Sequence, residues 1–275
     1  MAPRDAKPGS AALRRFHLAR SPLDLAVDGS AGGRPQLSPA DAEHALRVVR
    51  LRANDRFIGL DGRGHAWTMV IVAIEAGVPI LECASQEESE PRAGEPGAAL
   101  PWIEVGLVLP RGERAEDVID GLTQLGAAAI SRLTSERAHP AAREASAARE
   151  ARAARAAIEA CKQSGRLWLP ELPPIQPVGR WLASAGDTLW LAPRAATSLS
   201  EWLDRAFEGS GASWSEASPL RLLVGPEGGF TDSEESALRA RAVAACLAPH
   251  TLRVETAACA ALAIAAERAF KARRS

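Results

Sequence analysis

The sequence predicts an α/β protein with two blocks: a small one that is mainly β, and a larger one in which strands and helices alternate. In residues 1–85, short apolar runs are separated by turn residues, which is typical of antiparallel strands. Residues 86–99 (QEESEPRAGEPGAA) are rich in Glu, Pro and Gly, so they indicate a linker or exposed loop. From residue 100 to residue 275, apolar strands alternate with helical patterns, and this alternation indicates a parallel sheet.

The composition narrows the class of protein. The 275 residues are 47% hydrophobic and carry a formal net charge of -1, which excludes a wholly disordered chain. No apolar run reaches the roughly 18 residues that a membrane-spanning helix needs, and the N-terminus lacks the apolar core of a secretory signal peptide. The four cysteines lie far apart without a CxxC pair, so we expect reduced thiols and a cytoplasmic protein.

A β-hairpin is predicted in the first block. Arg56–Leu60 and Ala66–Ile74 are apolar runs, and the turn residues Asp61–Gly64 separate them.

A helix is predicted over Asp41–Leu51, with Ser38 as its cap and Pro39 near its start. Its apolar residues follow helical spacing: Ala42, Ala45, Leu46 and Val49. Arg47 and Arg50 would face away from this stripe, either as a solvated surface or as a contact with a partner.

The second block contains the elements of a parallel sheet. The predicted strands are Trp102–Leu109, Ala127–Leu133, Thr188–Leu191, Leu220–Val224 and Ala244–Leu247. The predicted helices include Glu113–Leu125, residues 141–163 and Val254–Phe270. The last of these is apolar on most faces, so it is expected to be buried, either within one subunit or in a dimer interface. Ligands of such sheets bind at the loops that follow the strands.

A glycine-rich loop carries the most specific pattern. The strand Leu220–Val224 runs directly into Gly225–Gly229 (GPEGG), and Thr231 and Glu234 have the spacing of a capping box. Glycines let a ligand approach the backbone, and the helix that follows offers free N–H groups. Valine at Gly228 is expected to crowd this loop. The loop matches neither GxxxxGK[ST] nor GxGxxG, so a nucleotide phosphate is not the expected ligand. A tight turn without a ligand is the alternative.

A second loop, Leu247–Ala257 (LAPHTLRVETA), follows another strand and leads into a helix with Arg253 and Glu255 at its start. The two loops would form one pocket if their strands are neighbours, whereas Arg253 and Glu255 could also form only a local ion pair. The five histidines are scattered without ligand spacing, so no metal is expected.

These two loop motifs resemble the signature of the bacterial small-subunit ribosomal RNA uridine-N3 methyltransferases, which belong to the SPOUT class. Other motifs match in the family's order. In the first block they are RRFHL (Arg14–Leu18), HALRVVRL (His44–Leu51) and LDGRG (Leu60–Gly64); in the second they are Pro110–Ala127, SERA (Ser135–Ala138), EACKQSGR (Glu159–Arg166) and LAPRA (Leu191–Ala195). The resemblance implies a small β-barrel PUA-like RNA-binding domain over 1–85, a linker over 86–99, and a trefoil-knotted methyltransferase domain with a parallel sheet over 100–275.

The resemblance also implies a function. It implies S-adenosylmethionine (SAM)-dependent methylation of N3 of a uridine in 16S ribosomal RNA by a homodimer. The implied SAM contacts are Leu191, Pro193, Val224, Gly225, Pro226, Glu227, Gly228, Gly229, Leu247, Leu252, Arg253 and Thr256. Gly- and Pro-rich loops suit adenine, because uncharged backbone groups can bind it. Glu227 and Glu255 are the carboxylates close to these loops, and either could remove the N3 proton. Arg253 could stabilise negative charge on the uracil oxygens.

Contacts with the RNA are expected at basic residues, namely Arg14, Arg15, Arg47, Arg50, Arg111, Arg114, Arg137, Arg166, Arg194 and His250. The chain departs from the family's pattern at Gly121 and Gln124, where Lys and Glu are usual, and at Ala248 and His250, where Gly and Arg are usual. Two alternatives therefore stay open. One is a non-catalytic ribosome-assembly protein that binds RNA, and the other is a SPOUT enzyme acting on a ribose 2′-OH or on transfer RNA.

Overall fold

The computed structural model describes residues 13–28, 33–110, 114–138, 146–210 and 213–273. The chain forms two compact units. The first comprises Met1–Glu90 with Cys161–Trp168, and the second comprises Pro91–Ala160 with Leu169–Ser275.

The first unit is built on a five-stranded sheet. Its strands are β1 (Arg15–Arg20), β2 (Gln36–Leu37), β3 (Arg56–Leu60), β4 (His65–Glu75) and β5 (Val78–Ser89), and its helices include α1 (Pro22–Asp28) and α2 (Pro39–Glu43). The strand order is β2-β1-β3-β4-β5, with β1 parallel to β3. The predicted hairpin is confirmed as β3 and β4. Asp61 fixes its turn by accepting hydrogen bonds from the backbone N–H groups of Arg63 (2.8 Å) and His65 (3.1 Å).

The predicted helix after Ser38 is confirmed at its start and wrong at its end. The Ser38 hydroxyl caps α2 by accepting a hydrogen bond from the Asp41 N–H at 3.1 Å. The chain then continues as a π-helix over His44–Val48. Arg50 is not on the helix, because its φ of 62° places it in the left-handed region. The wider π turn and this left-handed residue end the helix before Leu51, which the spacing of the apolar residues did not indicate.

The second unit has a six-stranded parallel sheet. Its strands are β6 (Ile103–Leu107), β7 (Ala129–Thr134), β8 (Gln176–Pro177), β9 (Asp187–Leu191), β10 (Leu220–Val224) and β11 (Val243–Ala245). Its helices include α3 (Arg114–Gln124), α4 (Ala147–Ser164), α5 (Val178–Leu182), α6 (Leu199–Ser210), α7 (Asp232–Arg241) and α8 (Val254–Ala272). The strand order is β11-β9-β10-β6-β7-β8, and every strand pair is parallel. This confirms the predicted α/β class. Residues 141–145 and Glu113 of the predicted helices lie outside the described residues.

The expected boundaries between the blocks differ from those of the two units. Gln86–Ser89, placed in a linker by composition, completes β5 and pairs with β4. Exposed side chains in an antiparallel strand can be acidic, so a polar composition does not exclude a strand. Cys161–Trp168, at the end of α4 and beyond it, belongs to the first unit. There the Lys162 ammonium lies 2.6 Å from the buried Asp41 carboxylate, a contact that sequence order does not indicate.

The core of the second unit lies on both faces of its sheet and includes a buried ion pair. The Arg221 guanidinium is 3.3 Å from Glu104 Oε2 and lies 3.6 Å from the ring centroid of Trp181. Trp181 Nε1 in turn donates a hydrogen bond to Glu104 at 2.5 Å. These contacts connect β6, β10 and α5.

Helix α8 is buried within the subunit. It packs against α3, α6, β6 and β10. Its buried residues are Val254, Ala257, Ala258, Ala261, Leu262, Ala265 and Ala269. The intrasubunit packing therefore accounts for most of its apolar surface. Within the described ranges, no helix combines the length and hydropathy that crossing a membrane would require.

Candidate active site

The loops that follow β9, β10 and β11 meet at one edge of the second unit's sheet. These strands are adjacent in the order β11-β9-β10 and run parallel, so their carboxyl ends lie side by side. The Ala192 N–H donates to the Ala245 carbonyl at 2.9 Å and connects the ends of β9 and β11. The two loop motifs do line one pocket, although their strands β10 and β11 are not neighbours: β9 lies between them, and the loop after β9 forms the third wall.

The three loops enclose a cleft of about 250 Å³. The following expected cofactor residues line it: Leu191, Pro193, Val224, Gly225, Pro226, Glu227, Gly229, Leu247 and Leu252. Gly228, Arg253 and Thr256 do not line it. The lining also includes residues that were not named as cofactor contacts: Trp190, Ala192, Phe230, Glu235, Ala245, Ala248, Thr251, Val254 and Ala257. Five of these lie inside the motifs LAPRA and LAPHTLRVETA, whereas Trp190, Phe230, Glu235 and Ala245 lie just outside the quoted loops.

The glycine loop has its shape for local reasons. Gly229 has a φ of 68°, which favours glycine. A Cβ on Gly225 would lie 2.7 Å from the ring of Phe230, which is buried and meets Trp190 edge to face with centroids 6.3 Å apart. The predicted capping box is confirmed at Thr231, whose hydroxyl accepts from the Glu234 N–H at 3.4 Å.

The expectation that valine crowds the loop at Gly228 stays a prediction. A Cβ on Gly228 would meet nothing closer than 3.8 Å, the distance to Arg137 Cβ. The β-carbon alone would therefore be in ordinary van der Waals contact.

Arg114 joins the two candidate carboxylates. Its Nη1 lies 3.2 Å from Glu227 Oε1 and 3.7 Å from Glu255 Oε1. Arg114 is the first residue of α3, Glu227 is in the glycine loop, and Glu255 is in the first turn of α8. Three segments thus meet at one guanidinium. Arg114 was expected among the RNA contacts, and no sequence pattern indicated this contact between distant residues.

Arg253 does not form the local ion pair that the sequence left open. Its backbone caps α8, and its exposed side chain forms no hydrogen bond or ion pair with the described part of the chain. The guanidinium is therefore available to a ligand. Glu255 is instead directed to Arg114, and its Oε2 is buried without a hydrogen-bond partner among the described residues.

Other basic residues of the second unit lie near the same loops. Arg137 is exposed and donates to the Gly228 carbonyl at 3.4 Å. Arg194 is exposed in the loop after β9, and His250 lines the cleft. Arg111 lies outside the described residues. Several basic side chains therefore lie around the glycine loop.

The remaining expected RNA contacts lie in the first unit. Arg14 and Arg50 are exposed. Arg15 donates to the Lys162 carbonyl at 3.5 Å, and Arg47 pairs with Glu43 at 2.9 Å in an exposed i,i+4 contact. Surface pairs of this kind are weak, so Arg47 can exchange its partner for a phosphate. Arg166 is half-buried, and burial lowers its pKa.

The fold and the cleft together define an α/β protein that binds a ligand beyond the carboxyl ends of its strands. Residues 98–266 match a family model described as an RNA methyltransferase domain, and residues 37–77 match an RNA methyltransferase PUA domain. The first match covers more than half of the chain, so the protein belongs to this RNA methyltransferase family.

Individual relatives agree with this assignment. Ribosomal RNA small subunit methyltransferase E of Synechocystis sp. is 30% identical over 201 residues, which are 73% of this chain and 61% of that protein. The chain thus spans less than two thirds of that relative. A ribosomal RNA small subunit methyltransferase E from Neisseria gonorrhoeae, solved with bound S-adenosyl methionine, is 26% identical with a TM-score of 0.70, covering 91% of this chain and 95% of that one. A SAM-bound protein of Legionella pneumophila, at 23% identity and a TM-score of 0.73, covers 93% and 97% and supports the fold alone.

Proposed function

We propose that the protein transfers a methyl group from SAM to N3 of a uridine in 16S ribosomal RNA. The observation that carries this proposal is the cleft at the ends of β9, β10 and β11, which lies within the segment that matches the RNA methyltransferase family. The names of the Synechocystis and Neisseria relatives support ribosomal RNA of the small subunit as substrate, and the bound ligand of the latter supports SAM.

The cleft suits the chemistry of SAM. Peptide groups and apolar side chains of the three loops offer an uncharged environment for adenine, for example at Leu191, Gly225 and Leu247. Glu227 and Glu235 supply negative charge next to a cationic sulfonium and ammonium, and no lysine is among the described residues that line the cleft. The residues that would hold SAM are those expected cofactor residues that also line the cleft.

The protein's own chemical task is to handle the proton on N3. When bound, SAM supplies an electrophilic methyl group, and the C–S electron pair stays on sulfur after transfer. The N3–H bond must break so that its electron pair can form the N3–C bond, and a carboxylate accepts the proton. Glu227 and Glu255 are the candidates for this acceptor. Arg253, exposed and unpaired with the described residues, would stabilise negative charge on the uracil oxygens.

Calorimetric titration with SAM tests the cofactor part of this proposal. We expect binding of one SAM per subunit, with no requirement for a metal. A non-catalytic assembly protein would show no binding, and this result would refute the proposal.

We further propose the finer architecture that the family resemblance implies. The first unit would be a β-barrel PUA-like module that supplies RNA affinity, and the second a trefoil-knotted catalytic domain. The segment after β9 is hydrogen-bonded to Cys246, the residue after β11: the Cys246 N–H donates to the Thr197 carbonyl at 2.9 Å, and the Leu199 N–H donates to the Cys246 carbonyl at 2.9 Å. The protein would act in the cytoplasm as a homodimer. Light scattering should give twice the chain mass of 29.0 kDa, and the monomer mass at micromolar concentration would refute the dimer.

A further inference from the structure

The two candidate carboxylates occupy different environments. Glu227 lines the cleft, and its side chain is 64% exposed. Glu255 does not line the cleft, and its side chain is only 20% exposed. N3 must lie next to the methyl donor, so a group that receives its proton must be accessible beside the SAM cleft. The geometry therefore separates two residues that the sequence could not distinguish.

Arg114 connects these two carboxylates. Glu227 belongs to a glycine-rich loop, where its long side chain has many rotamers, and fixing it costs conformational entropy. A guanidinium binds carboxylates through a planar, always-charged set of donors, so it restricts the position of its partner more than an ammonium does. Glu255 is held by the first turn of α8 and by burial. It can thus fix Arg114, which in turn fixes Glu227.

The local charge argues against the role that the sequence suggested for Arg114. One guanidinium shared by two carboxylates leaves a cluster with an excess of negative charge. A phosphate contact requires a cation that is not already neutralised, so this cluster is not expected to attract a phosphate. Arg137 and Arg194, both exposed near the same loops, remain available for the RNA backbone.

We propose that Arg114 is a positioning residue that holds Glu227 at the cleft, with Glu255 as its buried partner, and that Glu227 accepts the N3 proton. This inference rests on the proposed function. The proton moves from N3 to a Glu227 carboxylate oxygen, while the N3 electron pair forms the bond to the methyl carbon and the C–S pair leaves with sulfur. Arg114 and Glu255 exchange no proton in this scheme.

The test uses the full-length protein with small ribosomal subunits and SAM. The variants are Arg114→Ala, Arg114→Lys, Glu255→Gln and Glu227→Gln. Arg152→Ala is the matched control. Arg152 of α4 forms an exposed ion pair at 2.9 Å with Glu116 of α3, the helix that also carries Arg114. The measurements are kcat, the Kd for SAM, and the slope of log K for the RNA particle against log salt. Thermal unfolding of each variant identifies those that remain folded.

We expect Arg114→Ala and Glu255→Gln each to lower kcat by roughly 10- to 100-fold, because a misplaced reacting group is costly. Glu227→Gln should lower it at least as much, whereas Arg152→Ala should match the wild type. The salt slope should stay unchanged in the Arg114 variants, and their SAM Kd should change much less than kcat, because Glu235 and the loop backbone still line the cleft. Arg114→Lys should restore part of the rate, and added guanidinium ions should partly rescue Arg114→Ala, which a purely structural defect would not allow.

Each unexpected result would refute a different part of the inference. An unchanged kcat in Arg114→Ala, with a salt slope lowered by about one unit, would make Arg114 a phosphate contact and overturn the inference. A loss of kcat in Glu255→Gln but not in Glu227→Gln would overturn the assignment of the acceptor. If Arg114→Ala does not fold, an unchanged kcat in both Arg114→Lys and Glu255→Gln would overturn it equally. A wild-type protein that binds SAM but methylates no uridine would instead refute the proposed function itself, and the inference with it.

Discussion

At Gly225, one added carbon atom would be enough to disturb the lining of the cleft. We predict that Gly225→Ala weakens SAM binding at least about tenfold, because the added Cβ would lie 2.7 Å from the ring of Phe230 and would displace a residue that lines the cleft. Calorimetry measures the effect. Gly179→Ala is a matched control, because a Cβ there meets nothing within 4 Å. Equal SAM affinity in Gly225→Ala and the wild type would show that Phe230 does not shape the binding site.

His17 of the first unit makes stability depend on pH. Burial lowers the pKa of its imidazole from the ordinary value of 6.5, against the opposing influence of Asp41 and Asp61. Its Nδ1 is buried without a hydrogen-bond partner among the described residues. The unfolded chain then binds the proton more readily than the folded chain, so stability is lost as the pH falls below about 6.5.

We therefore predict that the free energy of unfolding decreases from pH 7 to pH 5, and that His17→Leu makes this decrease smaller. Urea unfolding at several pH values measures both curves. Parallel curves for the variant and the wild type would assign the pH dependence to other groups.

At the scale of elements, Gly121 brings two helices together. A Cβ at this position of α3 would lie 2.9 Å from the Cys259 sulfur of α8. Gly121 thus has a packing reason in this chain. Alanine is favoured over glycine inside a helix by about 1 kcal/mol, so the contact with Cys259 determines whether that gain appears.

We predict that Gly121→Ala gives no stabilisation in the wild-type background but stabilises by about 1 kcal/mol when Cys259→Ala has removed the sulfur. Denaturant unfolding of the two single variants and the double variant measures the coupling. Additive effects would mean that the helices do not meet at this point.

Elements with a clear hydrophobic pattern were predictable. The bounds of β3 and β10 match the prediction to the residue, because apolar runs end at turn residues or glycines in both cases. The two-residue strand β8 has no periodicity to detect. The end of the helix after Ser38 depends on a π turn, and the strand character of Gln86–Ser89 depends on pairing with β4. Both are tertiary features that local composition does not encode.

At the scale of the whole molecule, the sequence predicted that the loops converge, but it did not predict which charged side chains form pairs. Parallel strands place their following loops at one edge, so the motifs after β10 and β11 lie at the same edge even though β9 separates the two strands. The contact between Arg114 and Glu227 joins residues 113 positions apart, and no local spacing indicates it. The Lys162–Asp41 pair joins residues 121 positions apart in the same way.

The proposed RNA affinity of the first unit gives a prediction about salt. Among the described residues, Arg47 forms an ion pair with the exposed Glu43 alone, and Arg50 is exposed, so both can contact phosphates. The double variant Arg47→Ala/Arg50→Ala should bind the small ribosomal subunit more weakly and lower the slope of log K against log salt by about one unit per lost contact. SAM affinity should not change. An unaltered slope would assign both arginines to a merely solvated surface.

The central claim is methylation at N3 of a uridine in 16S ribosomal RNA, and mass spectrometry of that RNA tests it most directly. RNA from a strain that lacks the gene should have lost one methyl group from a uridine base. The gene should restore that group, and a Glu227→Gln copy should restore it poorly or not at all. An unchanged set of methylated uridines, or the loss of a methyl group from a ribose 2′-OH or from transfer RNA, would contradict the account.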